Sequence, residues 1–273
     1  MKLDQLKKKF KSKYDCELDL TSILTIKFVL AYYIHAILNK IDHLRTFKFR
    51  KKNISDFEEE IKNISIDTTN YFSELCFLGG KFGSDKSVFN TISPYKHSYT
   101  AIYNILLSHL KNNQINLAEI GILHNASIKM WREFFTKANI DGFEFNEYLI
   151  NKAKNEKLKD TRYFSIDVNS QESIKNSFLM ANREYDIIID DSTHLFDDQI
   201  NIIFTVKNFL KSGGYLIVED IFSKKVKYGE KKYYQEIKKI KSEFSDIFFI
   251  NCSNKYNYGG IFFNHKVLVL KKK

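Results

Sequence analysis

Tyr185-Asp186-Ile187-Ile188-Ile189-Asp190-Asp191-Ser192-Thr193-His194 decides how this chain is read. It is a short apolar run rich in β-branched residues, as expected of a strand buried on both faces, and it ends in two acids and a histidine. Downstream, Ile200, Ile203, Phe204, Val206, Phe209 and Leu210 recur at helical spacing, with Asp197 and Asp198 near the start, where acids suit the helix dipole. Ser212-Gly213-Gly214 is expected to close that helix, and Tyr215-Leu216-Ile217-Val218 to form a second strand ending in Glu219-Asp220. The unit reads as β-α-β. If its strands are parallel neighbours, their carboxyl ends gather three of these four carboxylates and an imidazole at one edge of a sheet, where open α/β sheets bind ligands.

The same alternation extends in both directions. Leu117 to Ile120 reads as a first strand turning at Gly121, followed by a helix from about Ser127 to Lys137. Ile140 to Phe145 is a second strand carrying Glu144 near its end, and Tyr163 to Ile166 a third, ending at Asp167. After a lysine-rich helix from Tyr233 to Phe244, Phe248 to Asn251 and Lys266 to Leu270 look like a terminal pair. This is the pattern of a doubly wound α/β fold with a mostly parallel, seven-stranded sheet. Residues 1 to 80 read instead as a helical extension, leaving residues 81–273 as the α/β domain.

Composition agrees with one enzyme-sized domain and an extension, since 273 residues of which 44% are hydrophobic can bury a large core. The formal charge of +10 is uneven: residues 1–52 hold thirteen Lys and Arg against five Asp and Glu, so the α/β part is nearly neutral. That basic stretch permits peripheral contact with an anionic membrane surface, but no nucleic-acid motif accompanies it, and no nucleic-acid partner is expected. Ile23 to Ile41 is strongly apolar yet contains Lys27 and His35, which argues against a bilayer span and for a buried or subunit-facing helix, hence a homo-oligomer. No secretion signal is read at the start, and Cys16, Cys76 and Cys252 have no metal or redox spacing. A cytoplasmic protein with reduced thiols is expected.

Glu119-x-Gly121 after the first strand, Glu144 after the second and Asp167 after the third are what an adenosyl ligand would need. The glycine lets backbone approach the ligand, the second acid accepts hydrogen bonds from ribose hydroxyls, and the third could meet the adenine amino group. Each signal alone is weak, and their order strengthens them.

Gly83-Ser84-Asp85-Lys86, His97-x-Tyr99, Leu117 to Gly121 through Met130-Trp131, Tyr185 to His194, and Gly213 to Asp220 together resemble the metal-dependent sugar O-methyltransferases of macrolide tailoring, the mycinamicin and macrocin type. Cephalosporin hydroxylase-like proteins share much of the pattern, which covers roughly residues 80 to 270. The resemblance implies a class I, Rossmann-like methyltransferase that moves a methyl group from S-adenosylmethionine to a sugar hydroxyl with the help of Mg2+ or Mn2+. It implies Asp191, Glu219 and Asp220 as metal ligands and His194 as general base. It also implies Glu119, Gly121, Asn125, Ser127, Glu144, Asp167 and Asp190 around the cofactor, and His97 and Tyr99 toward the substrate. The chain departs from the family at Asn125-Ala126, where glycines are usual, and at Ser192-Thr193, where Gly-Ser is usual.

The chemistry is coherent. A sugar hydroxyl is a poor nucleophile near neutral pH, and a hard cation on oxygen ligands lowers its pKa while an imidazole takes the proton. Carboxylates without cysteine suit magnesium or manganese better than zinc. The richness in Lys, Asn and Ile suggests an AT-rich bacterium and a saccharide or nucleotide-linked sugar of a surface polysaccharide as acceptor. Two rivals stand beside this reading: a catechol-type or small-molecule methyltransferase, and a non-catalytic Rossmann-like binding protein. Duller roles compete residue by residue. Glu219-Asp220 could cap a following helix, Trp131 and Phe134-Phe135 at helical spacing suit a core, and Asp85-Lys86 reads as a surface ion pair or part of a lid.

Overall fold

The computed structural model describes residues 61–221, 230–259 and 265–273. The basic stretch, Cys16 and the apolar segment from Ile23 to Ile41 lie outside the described residues. A compact unit runs from Glu60 to Lys273. Its strands are β1 (Lys62–Asp67), β2 (Asn116–Ile120), β3 (Asn139–Glu144), β4 (Thr161–Ser165), β5 (Tyr185–Asp190), β6 (Leu210–Val218), β7 (Phe244–Ser253) and β8 (Lys266–Lys272). They form one sheet in the order β1-β7-β8-β6-β5-β2-β3-β4. Only β8 runs against its neighbours, pairing antiparallel with both β6 and β7. A late antiparallel strand is thus inserted into an otherwise parallel sheet.

Helices cover both faces, as a sheet buried on both sides requires. Against one face lie α1 (Glu74–Phe82), α2 (Tyr99–Leu107) and α3 (Ala126–Phe134), together with α4 (Glu147–Asn155), around a core that includes Leu75, Ile102, Trp131 and Ile187. Against the other lie α5 (Gln171–Ala181), α6 (Phe196–Val206) and α7 (Glu230–Ile237), around Phe178, Ile188, Ile202 and Val218. Ile187 and Ile188 therefore serve opposite cores, which is why β5 reads as a continuous apolar run rather than an alternating one.

Two expectations are corrected. Residues 62–67, expected within a helical extension, form an eighth strand, β1, paired in parallel with β7 from Lys62↔Phe248 to Asp67↔Ser253. The α/β unit accordingly starts near residue 60 rather than 81. Lys62-Asn63-Ile64-Ser65-Ile66-Asp67 is a short, mostly exposed edge strand, so it has no long apolar run to announce it. The turn Ser212-Gly213-Gly214 does not close a helix: α6 ends at Val206, one 3-10 turn follows, and β6 already begins at Leu210. Gly213 takes a left-handed conformation (φ 76°) next to the point where the β5–β6 register shifts, so the two glycines mark an irregularity within the strand.

Chain order reverses between β2 and β5: β3 and β4 extend the sheet on one side, β6 and the rest on the other. A crevice forms at such a switch point, beyond the carboxyl ends of the strands.

Candidate active site

β5 and β6 are adjacent and parallel, with Asp190 opposite Val218. Their tips keep the register one step past the ladder: Asp191 N–H donates to the Ile120 carbonyl at 2.8 Å, and Glu219 N–H to the Asp190 carbonyl at 2.9 Å. The loop after β2 is equally close, because a Cβ on Gly121 (φ 86°) would lie 2.2 Å from the Asp191 carbonyl oxygen. Only glycine fits that contact and that conformation. His194 (φ 58°) and Asp220 (φ 56°) also sit in the left-handed region, a strain of about 1 kcal/mol or more each that clusters at functional sites.

Four acids converge here. Asp191, Glu219 and Glu119 surround the ammonium of Lys86, a side chain only 1% exposed. Glu219 lies 2.9 Å from Nζ and Glu119 3.5 Å, while Asp191 makes the tightest contact. Burial works to lower the Lys86 pKa, but Asp191, Glu219, Glu119 and Asp85 outweigh it and hold the ammonium well above the usual lysine range. Burial pushes Asp191 up to about 7 against the pull of Lys86 and His194. It also pushes Glu219 well above the carboxylate range, with Asp191 adding to the effect. Tyr103 donates its hydroxyl to Glu219 Oε1, and Tyr99 to Asp220 Oδ1. Gln199 Nε2 donates to the Glu219 carbonyl at 2.8 Å and itself accepts from the Tyr233 hydroxyl.

Asp191, His194 and Asp220 each offer one ligating atom, all within 4.8 Å of one another. His194 Nε2 is 3.5 Å from Asp220 Oδ2 and 3.9 Å from Asp191 Oδ1, and its Nδ1 is buried with no hydrogen-bond partner among the described residues. Two carboxylates and an imidazole at this spacing are a donor set suited to a hard divalent cation. Glu219, expected as a third carboxylate ligand, is adjacent in sequence but is turned to Lys86 and Tyr103.

Expected substrate residues lie behind the acids. Tyr99 is 1% exposed beneath Asp220. His97 is also buried, stacked on Tyr99, with Nδ1 3.8 Å from Asp220 Oδ1 and 3.0 Å from His265 Nδ1.

On the other side of the switch point, Glu144 at the tip of β3 accepts backbone N–H groups from Ile122 and Leu123 at 3.2 Å and from Phe145 and Asn146 at 3.0 Å. It ties the β2 loop to the start of α4. Asp167 accepts from Asn169 N and Nδ2 at 3.0 Å in the loop after β4. Asn125 takes the left-handed conformation (φ 63°) at the N-cap of α3. Asparagine tolerates that region, so this position keeps the backbone a glycine would give. Its amide turns inward, donating to Glu156 at 2.8 Å and accepting from the Tyr163 hydroxyl at 3.1 Å. Ser127 lies buried in the first turn of α3. Glu119 is fully buried, accepting from Trp131 Nε1 at 2.6 Å, with Oε1 lacking a hydrogen bond among the described residues. Asp190 accepts from Ser192 N–H and Oγ through Oδ1, at 3.2 and 2.7 Å, while its buried Oδ2 has no hydrogen-bond partner among the described residues. A buried, unpartnered carboxylate oxygen at a switch point fits a ligand donor.

Sequence reasoning missed Lys86 as a buried centre of charge, and also Tyr103, Gln199 and His265. Tyr103 had a signal: it lies four residues after Tyr99 on α2, so both hydroxyls share one helix face.

A doubly wound sheet with a tight glycine turn after β2, an acid closing β3 and an acid pair at the tip of β5 is the class I, Rossmann-like methyltransferase fold. The family described as "Methyltransferase domain" matches residues 124–261, half of the chain, and the chain belongs to it. The 8-demethyl-8-(2-methoxy-alpha-L-rhamnosyl)-tetracenomycin-C 3'-O-methyltransferase of Streptomyces olivaceus is 23% identical over 138 residues, which are 46% of this chain and 33% of that protein. The MycE methyltransferase of the mycinamycin biosynthetic pathway, in complex with Mg, SAH and mycinamycin VI, shares the fold with a TM-score of 0.56 at 16% identity over 74% of this chain and 55% of that one. Another crystal form, with Mg and SAH, gives 0.55 at 17% identity over 73% and 53%. The chain thus spans about a third of the curated relative and about half of MycE.

Proposed function

We propose that this chain transfers the methyl group of S-adenosylmethionine to a hydroxyl of a saccharide or nucleotide-linked sugar, with a divalent cation beside the acceptor. One observation carries the reading: at the ligand-binding end of a methyltransferase fold, Asp191, His194 and Asp220 bring ligating atoms within 4.8 Å of one another. The similar proteins, one a 3'-O-methyltransferase of a rhamnosyl compound and one a methyltransferase bound to Mg and SAH, support the acceptor class and the ion. The lysine-, asparagine- and isoleucine-rich composition favours a bacterial surface polysaccharide as the destination.

Bound together, S-adenosylmethionine would supply the sulfonium methyl, and Mg2+ or Mn2+ would lower the pKa of the hydroxyl it touches. The chain's own residues do the rest. Glu144 already accepts four backbone N–H groups from the flanking loops, so ribose hydroxyls would bind it by displacing some of these donors, and Asp190 offers on the cofactor side an Oδ2 with no hydrogen bond among the described residues. Asp191 and Asp220 hold the cation. His194 takes the hydroxyl proton at Nε2, and the resulting imidazolium is stabilised by the two carboxylates 3.5 and 3.9 Å away. Asn125 adopts the left-handed conformation of the glycine usual there, so its backbone does not change the path of the β2–α3 loop, which favours a cofactor-binding protein over a non-catalytic one.

The test is methyl transfer from labelled S-adenosylmethionine to a panel of nucleotide sugars and catechols, with Mg2+ or a chelator. Sugar methylation that the chelator abolishes is expected. His194→Ala should lower turnover by about 10²- to 10⁴-fold while still binding Mn2+. Transfer to catechols alone would overturn the acceptor class, loss of Mn2+ with His194→Ala would make His194 a ligand rather than the base, and no heat on titrating S-adenosylmethionine would overturn the whole reading.

A further inference from the structure

Asn125 stands where glycine is usual, and its side chain is turned into the molecule. The residue is 2% exposed, its Nδ2 donates to Glu156 at 2.8 Å and its Oδ1 accepts from the Tyr163 hydroxyl at 3.1 Å. Both partners are themselves held in place. Glu156, at the C-cap of α4, also accepts from Lys129 Nζ at 3.0 Å, and the Tyr163 ring lies against Gly142, where a Cβ would come within 2.9 Å of it. Burial pushes the Tyr163 pKa up to about 12, so its hydroxyl stays a donor at neutral pH.

The loop that Asn125 closes is strained. Gly121, Leu123 and Asn125 all lie in the left-handed region, with φ of 86°, 43° and 63°, and leucine is seldom found there. Two ties keep this shape. One is Glu144, which accepts the Ile122 and Leu123 N–H groups at 3.2 Å, and the other is the Asn125 amide. Ribose hydroxyls would compete for Glu144, so a bound cofactor weakens the first tie itself. The second lies outside that competition, because Asn125 is buried and its partners come from the end of α4 and from β4.

We propose that Asn125 is a positioning residue for the cofactor: through Glu156 and Tyr163 it holds the β2–α3 loop in its binding conformation once Glu144 has exchanged backbone donors for ribose hydroxyls. The proposal rests on the S-adenosylmethionine reading above and concerns the loop that would meet the methionine part. Glycine at this position would permit the same φ but supply no side-chain tie, leaving several backbone conformations open. A ligand then binds more weakly in proportion to the fraction of molecules whose loop is competent.

Calorimetric titration of the full chain with two ligands tests this: S-adenosylhomocysteine, and methylthioadenosine, which keeps the nucleoside and the sulfur but has no amino-acid part. The proteins are the unsubstituted chain, Asn125→Gly, Tyr163→Phe and the double variant. Asn125→Gly should weaken S-adenosylhomocysteine about tenfold and methylthioadenosine by no more than about twofold, because only the first needs the loop. Tyr163→Phe should cost about threefold, and the double variant no more than Asn125→Gly alone, since the hydroxyl acts through the amide. Should Asn125→Gly fail to fold, Tyr163→Phe and Glu156→Ala carry the test, each with a loss of about threefold confined to S-adenosylhomocysteine. Unchanged affinity in Asn125→Gly, equal losses for the two ligands, or losses that multiply in the double variant would overturn the proposal alone. No heat with either ligand in the unsubstituted chain would overturn the cofactor reading and this proposal with it.

Discussion

Asp141 on β3 and the acids at the tips of β5 and β6 are buried, Asp191 being the one left partly exposed, yet they are compensated in opposite ways. Asp141 is 0% exposed and accepts four hydrogen bonds from three side chains: Arg162 Nε at 2.9 Å and Nη2 at 2.8 Å, Arg183 Nη1 at 2.9 Å and the Tyr185 hydroxyl at 2.8 Å. A carboxylate has about four acceptor sites, so it is saturated. At the tips, among the described residues, Glu119, Asp191 and Glu219 share the ammonium of Lys86, while Asp190 Oδ2 and Glu119 Oε1 have no hydrogen bond. The backbone repeats the contrast, with left-handed His194 and Asp220 at the tips. A saturated acid is a structural joint between strands. A cluster short of donors and cations is prepared to receive them from a ligand, so the shortage of partners, rather than the presence of acids, locates the site.

The largest effect on stability is expected at the saturated acid. Asp141→Ala leaves the Tyr185 hydroxyl without its acceptor and two guanidinium groups without their carboxylate. It should cost about 3 kcal/mol, the low end for breaking a buried pair, because Arg162 is 42% exposed and can turn to water. For a unit of this size that is roughly 6–12 °C in Tm. Any methyl transfer per folded molecule should persist below the transition. Thermal melts beside activity at low temperature decide the matter: a variant that melts normally but has lost turnover would erase the distinction between joint and site.

The under-compensated region should respond with the opposite sign. Burial pushes Asp190 up to about 6, against the pull of Ser192 and His194. The folded state therefore binds the proton more tightly than the unfolded chain, and Asp190's contribution is favourable in acid and lost as pH rises from about 4 to about 6. Asp190→Asn removes that slope. At pH 7 it should gain about 1–2 kcal/mol of stability while weakening the binding of S-adenosylmethionine. Parallel pH–stability curves for the two proteins would sink this account of Asp190.

Much of this contrast was legible in the sequence and some was not, for physical reasons. The apolar runs of β2, β3, β5 and β6, each serving cores on both faces, are local signals, and so are the acids closing them. The convergence of the β5 and β6 tips needs only that the two strands be parallel neighbours, and they are. Lys86 was not legible as a buried group. Lysine is ordinarily a surface residue, and the acids that bury this one come from β2, β5 and the end of β6, up to 133 residues away. β1 was missed for a similar reason. Its ladder partner β7 is far along the chain, and a mostly exposed edge strand carries no amphipathic period of its own. Separating Glu219 from Asp220 depends on two tyrosine hydroxyls arriving from α2, which no spacing within Glu219-Asp220 encodes.

The smallest effect should come from an acid that has as many cation contacts as Asp141 but not its burial. Glu243 accepts from Lys207 Nζ at 2.7 and 2.9 Å and from Lys272 Nζ at 3.1 Å, with about a third of its side chain in solvent. The Lys207 hydrogen bond holds its carboxyl below the usual glutamate value. Its stabilisation is thus present above about pH 4.5 and lost as pH falls through the lowered folded value, the reverse of Asp190. Glu243 keeps about a third of its side chain in water, so Glu243→Gln should cost no more than about 1 kcal/mol at pH 7 and less still in high salt. The measurement is denaturant unfolding at low and high salt. A loss as large as that of Asp141→Ala would mean that the number of partners, and not the removal of water, sets the worth of these acids, and the reading of the tip cluster as a prepared ligand site would lose its energetic ground.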